Sequence, residues 1–301
     1  MFVKLSSISA VAWLLAGKAI AQSTEEHPLL PTWKCTTSGG CVKQNTSIVL
    51  DQDSKFAAGR PGSRTAADYT AMGVTTSGNA LTLTHYVKSA SGSLNNATPR
   101  VYLLGEDGKY VMMKLLGQEL SVDVDYSDVP CGENGAFYLS EMQAEGKGGA
   151  GAGGGTGYCD AQCQGYCCNE MDILEANNMA TAMTGHPCNG NNCDKGGCAY
   201  NPFASGQRNY WAPGGTVDTS KTFTVVTQFQ ANGGKLSSIT RKYIQNGRQI
   251  SGGGSITGCG SEGATGGLTG MGAALGRGSK WLPFLTYAES SNPSLLESII
   301  C

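Results

Sequence analysis

The chain reads as an all-β protein of two stacked antiparallel sheets, and three observations predict it. Strand-like segments recur at short intervals, several with strict apolar/polar alternation. Glycine is abundant at 44 of 301 residues while charged residues make up only 15%, a composition suited to many short strands joined by tight turns. No stretch carries the apolar periodicity of a long amphipathic helix. With no internal repeat and no Pro/Ser/Thr-rich linker, one domain is the simplest count.

Residues 1–21 have the layout of a secretory signal peptide: Lys4, the apolar run Ile8–Ala16, then the small-residue site Ala19-Ile20-Ala21. The run is too short to span a membrane as a helix, and no later stretch is long enough either. An extracellular protein with a mature chain over 22–301 is therefore expected. Cys35–Cys41 looks like a small disulfide-closed turn, and Val42–Leu50 has strand character. Asp51–Ala67 is polar and irregular, with no strand expected. Ala80–Val87 alternates as a half-buried strand. Arg100–Leu104 and Tyr110–Leu116 flank Gly105-Glu106-Asp107-Gly108-Lys109, a hairpin signal. Glu119–Tyr126 alternates strictly, with Leu120, Val122 and Val124 on one face, and Ala136–Met142 is a further strand.

Glu145–Gly157 contains a formal G-x-G-x-x-G match at Gly149–Gly154, but no apolar helix follows and a flexible loop is expected. His186–Pro202 is rich in turns. Thr222–Phe229 and Leu236–Ile244 are strands, and Asn246-Gly247 closes a hairpin into Arg248–Ile250.

A formal charge of -2 excludes a basic nucleic-acid binder. All 12 cysteines lie in the mature chain. An even count in an exported protein points to disulfides, against the alternative of zinc at Cys163, Cys167 and Cys168. Asn45-Thr46-Ser47 and Asn96-Ala97-Thr98 fit the N-glycosylation pattern, which predicts surface loops at Asn45 and Asn96.

The stretch that carries chemistry is Cys167–Asn177, C-C-N-E-M-D-I-L-E-A-N. It crowds Glu170, Asp172 and Glu175 together, and carboxylates this close shift one another's pKa. A carboxylate pair is the equipment for cleaving a glycosidic bond, with a separation of about 5–5.5 Å giving retention and about 6.5–9.5 Å inversion. In a strand Glu170 and Asp172 share a face, about 6.8 Å apart along the backbone. Glu175, at i+5, falls on the opposite face of a regular strand, so all three serve one cleft only if the strand bulges near Ile173–Leu174. On these residues alone, catalysis, calcium binding and a solvated acidic face all stay open.

E-M-D-I-L-E-A-N at Glu170–Asn177 resembles the signature of glycoside hydrolase family 7, the fungal cellobiohydrolases and β-1,4-endoglucanases. The resemblance extends in order through Lys34–Cys41, Gly73–Leu81, Arg100–Leu104, Glu119–Tyr138, Gly157–Cys163, His186-Pro187-Cys188, Thr216–Phe229 and Ile239–Gly247. It implies a concanavalin A-like β-jelly-roll sandwich with a concave cleft, hydrolysing β-1,4-glucan such as cellulose with retention. It implies no metal and no cofactor, and a monomer without membrane or nucleic-acid partners. Glu170 becomes the nucleophile, Asp172 the assisting acid, Glu175 the acid/base, and His186 a neighbour of the three. Substrate contacts are implied at Arg100, Tyr102, Asn134, Tyr138, Asp160, Gln162 and Arg241. His27 and His85 have no counterpart and read as structural.

Family-like pairing implies Cys35–Cys41, Cys159–Cys168, Cys163–Cys167, Cys188–Cys193 and Cys198–Cys259, with Cys131 pairing near the end of the domain, where Cys301 remains. Leu174, where cellobiohydrolases carry Trp, and the short Cys163–Cys167 connection resemble the endoglucanase branch, with an open cleft that permits attack in mid-chain. The pattern departs from the family in three places. Asp51–Ala67 lacks a tryptophan-bearing strand, the Cys163–Cys167 segment lacks a loop, and from Ser279 onward the resemblance stops. A C-terminal truncation that leaves sheet edges unpaired is therefore expected. The rival reading is a truncated relative that binds sugar without cleaving it.

Overall fold

Alternation on facing strands builds the architecture. The computed structural model describes residues 25–57, 66–89, 91–260, 262–276 and 281–289. The expected signal peptide at 1–21, the segment 59–62 and Cys301 lie outside the described residues. Twelve strands form two antiparallel sheets. They are β1 (Ser47–Leu50), β2 (Arg100–Leu104), β3 (Glu119–Val124), β4 (Glu133–Glu141), β5 (Glu170–Ala176), β6 (Thr181–His186), β7 (Cys198–Tyr200), β8 (Phe223–Asn232), β9 (Lys235–Gln245), β10 (Arg248–Ile250), β11 (Ser255–Ile256) and β12 (Trp281–Glu289). The larger sheet runs β7-β6-β5-β4-β12-β2-β1, and the smaller runs β10-β9-β8-β3 with β11 also paired to β9.

The sheets stack over an apolar layer. Phe137, Leu139, Met171 and Ile173 from the larger sheet meet Phe223, Val225, Phe229, Ile239 and Tyr243 from the smaller, all buried. Area removed from water drives this layer, at about 25 cal/mol per Å² of apolar surface. Leu120, Val122 and Val124 of β3 pack against it, while Glu119, Ser121 and Asp123 face outward, as their alternation predicts. A second cluster covers the opposite face of the larger sheet and includes Ile48, Tyr69, Tyr102, Tyr110, Tyr138 and Met142.

Several local expectations are corrected. Val42–Leu50 is two strands, Cys41–Gln44 and Ser47–Leu50, broken at Asn45-Thr46. Tyr110–Leu116 is not a strand. The Asp107-Gly108 turn does close, with Gly105 N–H donating to the Lys109 carbonyl at 2.8 Å, but pairing ends at the Leu104–Tyr110 bridge. The Asp51–Ala67 region holds helix α1 (Gln52–Ala57), and helix α2 (Ala66–Ala71) begins at its end. Asp51 caps α1, its Oδ1 accepting from Asp53 N–H at 2.8 Å and Ser54 N–H at 3.1 Å.

Helix α3 (Gly267–Gly276) packs on β9 through buried Leu268, Met271 and Leu275. Gly272 permits that contact, because a Cβ there would lie 2.4 Å from Leu236 Cβ. The larger sheet also does not stop where the resemblance does. Strand β12 fills the place between β4 and β2, pairing along all of β4 from Glu133↔Glu289 to Glu141↔Trp281.

The structure joins Cys35–Cys41, Cys159–Cys168, Cys163–Cys167, Cys188–Cys193 and Cys198–Cys259. Cys131 is disulfide-bonded as well. The Cys163, Cys167 and Cys193 sulfurs lie close together, and all three are held in these bridges. Among the described residues no helix is long and apolar enough to cross a membrane.

Candidate active site

Strand β5 is buried along its whole length, including its acids. Its register with β4 reads Ser140↔Glu170, Tyr138↔Asp172, then Phe137↔Leu174 and Ala136↔Glu175, so Ile173 has no partner. On the other side Glu170↔His186 and Asp172↔Thr184 are followed by Glu175↔Ala182, two residues of β5 against one of β6. This one-residue bulge restores parity. Glu170, Asp172 and Glu175 now share a face with Tyr138 of β4 and His186 of β6. The bend falls at Ile173–Leu174, where the i+5 spacing demanded one.

Each acid has a distinct setting. Glu170 Oε2 accepts the Ala161 N–H at 3.1 Å. Asp172 Oδ2 lies 3.1 Å from His186 Nε2, and His186 Nδ1 donates to the Asp194 carbonyl at 2.8 Å. Both ring nitrogens thus face acceptors, which suits an imidazolium. Burial lowers the His186 pKa, but the Asp172 hydrogen bond and charge and the Glu170 charge overcome it and raise it to about 10. Glu175 Oε1 accepts from Asn134 Nδ2 at 3.0 Å, and its buried Oε2 has no hydrogen-bond partner among the described residues.

Burial, then the Asp172 charge, raise the Glu175 pKa to about 8, against the pull of Asn134 and His186. Burial and the Asp172 charge also raise Glu170, while His186 and the Ala161 N–H favour its anion. Both carboxyls are therefore pushed up: Glu175 keeps its proton at neutral pH, and Glu170 has an imidazolium and a backbone donor beside it that pull back toward the anion.

The remaining sequence-derived residues fall into three groups. Arg100 and Tyr102 of β2 lie on the carboxylate face, farther along the sheet. Arg100 Nη2 pairs with Asp51 Oδ1 at 3.2 Å, and its guanidinium carbon sits 3.5 Å from the centre of the Tyr158 ring. Tyr102 is fully buried and donates to Asp51 Oδ2. The Tyr138 hydroxyl is 3.2 Å from that of Tyr158.

Asn134 does not merely flank the site. It donates to Glu175 and accepts the Ala176 N–H at 3.1 Å. Asp160 and Gln162 belong to the loop that carries Ala161. Asp160 is buried, its pKa raised chiefly by that burial, and Gln162 is exposed, donating to the Lys195 carbonyl at 2.9 Å. Arg241 stands apart. It lies in the inter-sheet core, on the other side of β5 from the carboxylates, and donates to the Ile173 carbonyl.

Sequence reasoning missed Asp51, Tyr158, the Ala161 N–H and the Asp194 carbonyl. An Asp after the apolar run Ile48–Leu50 is a capping signal that points to Asp51. The two backbone groups leave no trace in residue type. Of the histidines outside the site, His85 pairs with Glu133 at 2.7 Å and His27 with the Tyr69 hydroxyl at 3.3 Å.

The chain matches the family model described as Glycosyl hydrolase family 7 over residues 62–164 and 164–262. It is 47% identical over 324 residues to Endoglucanase EG-1 of Trichoderma longibrachiatum, covering 91% of this chain and 70% of that protein. Among solved structures, it is similar to the native Humicola insolens endocellulase EGI with a TM-score of 0.78 at 33% identity, covering 93% of this chain and 91% of that one. An endoglucanase I complexed with cellobiose superposes with a TM-score of 0.78 at 32% identity, covering 91% and 88%.

Proposed function

The chain belongs to glycosyl hydrolase family 7, and from that membership we propose a division of labour among the acids of a cellulose-degrading glycoside hydrolase. The enzyme cleaves internal β-1,4-glucosidic bonds by double displacement. Glu170, as the anion, attacks the anomeric carbon. The bond to the leaving oxygen breaks as Glu175 transfers its proton to that oxygen, leaving a glycosyl-Glu170 ester. Glu175, now a carboxylate, takes a proton from water, whose oxygen attacks the same carbon and releases Glu170. Inversion twice gives net retention. Asp172, held by His186, orients the nucleophile's surroundings and adds the negative charge that keeps Glu175 protonated.

The observation that carries this reading is Glu175: one oxygen pinned by Asn134, the other buried with no partner among the described residues, and a pKa raised to about 8. That is an acid loaded at neutral pH, its protonated form available to a leaving oxygen. Arg100, Tyr138, Asp160 and Gln162 are proposed to meet the glucan chain, with Arg100 and the Tyr158 ring as one flank, while Tyr102, fully buried, acts only through its hydrogen bond to Asp51. The substrate is a β-1,4-glucan strand in an open cleft, and the protein is proposed to act outside the cell as a monomer, its catalytic domain over 22–301. The abundance of disulfides supports an oxidising compartment.

Glu170→Gln and Glu175→Gln are each expected to abolish hydrolysis of carboxymethylcellulose while leaving the melting curve cooperative. Near-normal turnover in either variant sinks the assignment. Binding of cello-oligosaccharide by the unmodified chain without product release would favour the sugar-binding reading instead.

A further inference from the structure

We propose that Arg241 is a positioning residue for Glu175: its guanidinium braces the Ile173 carbonyl and so holds the bulge that turns Glu175 onto the face of Glu170. The inference rests on the roles proposed above for those two acids.

The bulge takes Ile173 out of one-to-one pairing with β4, and a buried backbone carbonyl removed from its ladder needs another donor. Arg241 supplies it through Nη2. The rest of the guanidinium is held as well, with Nε donating to Thr227 Oγ1 at 3.2 Å and Nη1 to the Tyr243 hydroxyl at 3.3 Å. Three donors leave one rigid fork in three directions. A lysine, with one terminal nitrogen, cannot match that geometry.

The side chain is 2% exposed, and among the described residues it pairs with no carboxylate. An uncompensated buried charge is costly, so a purely space-filling role is better met by Met or Leu. The anchor itself is clamped. Arg241 N–H donates to the Gly254 carbonyl at 2.9 Å, and Gly253 passes so close that a Cβ there would lie 2.1 Å from the Arg241 carbonyl oxygen.

Arg241 is absent from the groups that shift the Glu175 pKa. Its effect is therefore geometric. If the bulge relaxes toward a regular strand, Glu175 rotates away from the scissile oxygen, while Glu170 and Asp172, on the N-terminal side of the bulge, keep their places.

This predicts a loss that depends on the leaving group. A cello-oligosaccharide needs the proton from Glu175, whereas a dinitrophenyl β-cellobioside leaves without it. Arg241→Met is expected to lower kcat/KM on cellotetraose about 100-fold, the scale of a 1 Å misplacement. On the dinitrophenyl substrate kcat/KM is expected to change less than about threefold, and on cellotetraose the alkaline limb is expected to stay in place. Rates are normalised to sites titrated with 2-deoxy-2-fluoro-β-cellobiosyl fluoride, so only folded enzyme counts. Thr227→Val, which removes one anchor at constant shape, is expected to show the same selectivity at about tenfold.

Equal losses on the two substrates in both variants, or no loss on either, overturn the brace. Glu175→Gln is the control. If it lacks the leaving-group dependence, the acid/base assignment fails; if it shows the dependence and the Arg241 and Thr227 variants do not, only the brace fails.

Discussion

Replacing Asn134 by Leu is expected to move the alkaline limit of activity upward. Asn134 Nδ2 donates to Glu175 Oε1 at 3.0 Å, a bond that favours the carboxylate and holds the Glu175 pKa down to about 8. Leu is nearly isosteric, keeps water out and donates nothing. A hydrogen bond to a charged group contributes about 1.5–3 kcal/mol, and one pKa unit is about 1.4 kcal/mol, so removing it raises the pKa by about 1–2 units. Glu175 must be protonated to act as the acid, so kcat/KM falls as pH rises through its pKa. In the parent that limb lies near pH 8, and in the variant it is expected about 1–2 units higher.

The assay is kcat/KM on cellotetraose between pH 4 and 10.5, with a melting curve at each end. The variant also strands the Ala176 N–H, now bonded to Asn134 Oδ1 at 3.1 Å, which costs about 1–3 kcal/mol of stability without touching the pH profile. A limb that stays put or moves down refutes the assignment of Glu175 as the acid held by Asn134.

Two further outcomes follow from the same geometry. Glu175 keeps a proton in the folded state that the unfolded chain has lost, so stability falls as pH rises from the ordinary carboxylate range through about 8. His186 acts in the same direction: stability from its raised pKa is present below about 6.5 and lost as pH rises through about 10. Glu175→Gln is expected to make the fall in melting temperature between pH 5 and 8 shallower and to leave the His186 part between about 6.5 and 10. An unchanged slope places the buried proton elsewhere. Asp51→Asn is expected to raise KM about tenfold with kcat within about threefold, because Asp51 holds Arg100 and Tyr102 but touches none of the three acids. An effect confined to kcat counts against that role.

Strand β5 was the most legible part of the chain. Three acids at 170, 172 and 175 cannot share a face of a regular strand, and that conflict alone locates the bulge at Ile173–Leu174. Strands β3, β8 and β9 were equally legible, since alternation or an Asn-Gly turn marks them locally.

What escaped depends on distant partners. Tyr110–Leu116 is apolar enough for a strand, but it forms isolated bridges only and its residues pack against the core clusters. Helix α3 hides behind four glycines, at least one of which is needed for its approach to Leu236. Arg241 matched the family as a substrate contact, and nothing local to I-T-R-K-Y distinguishes a guanidinium in a cleft from one beneath β5. Strand β12 lies past the end of the resemblance, and its place is set by the gap between β4 and β2.

The most direct test of the central claim is to trap the intermediate. The enzyme is incubated with dinitrophenyl 2-deoxy-2-fluoro-β-cellobioside, digested, and the labelled peptide sequenced by mass spectrometry, while NMR follows the anomer first released from cellotetraose. The account predicts one fluorocellobiosyl ester, on Glu170, and the β anomer as first product. An α anomer first, or a label on Asp172 or Glu175, would contradict it.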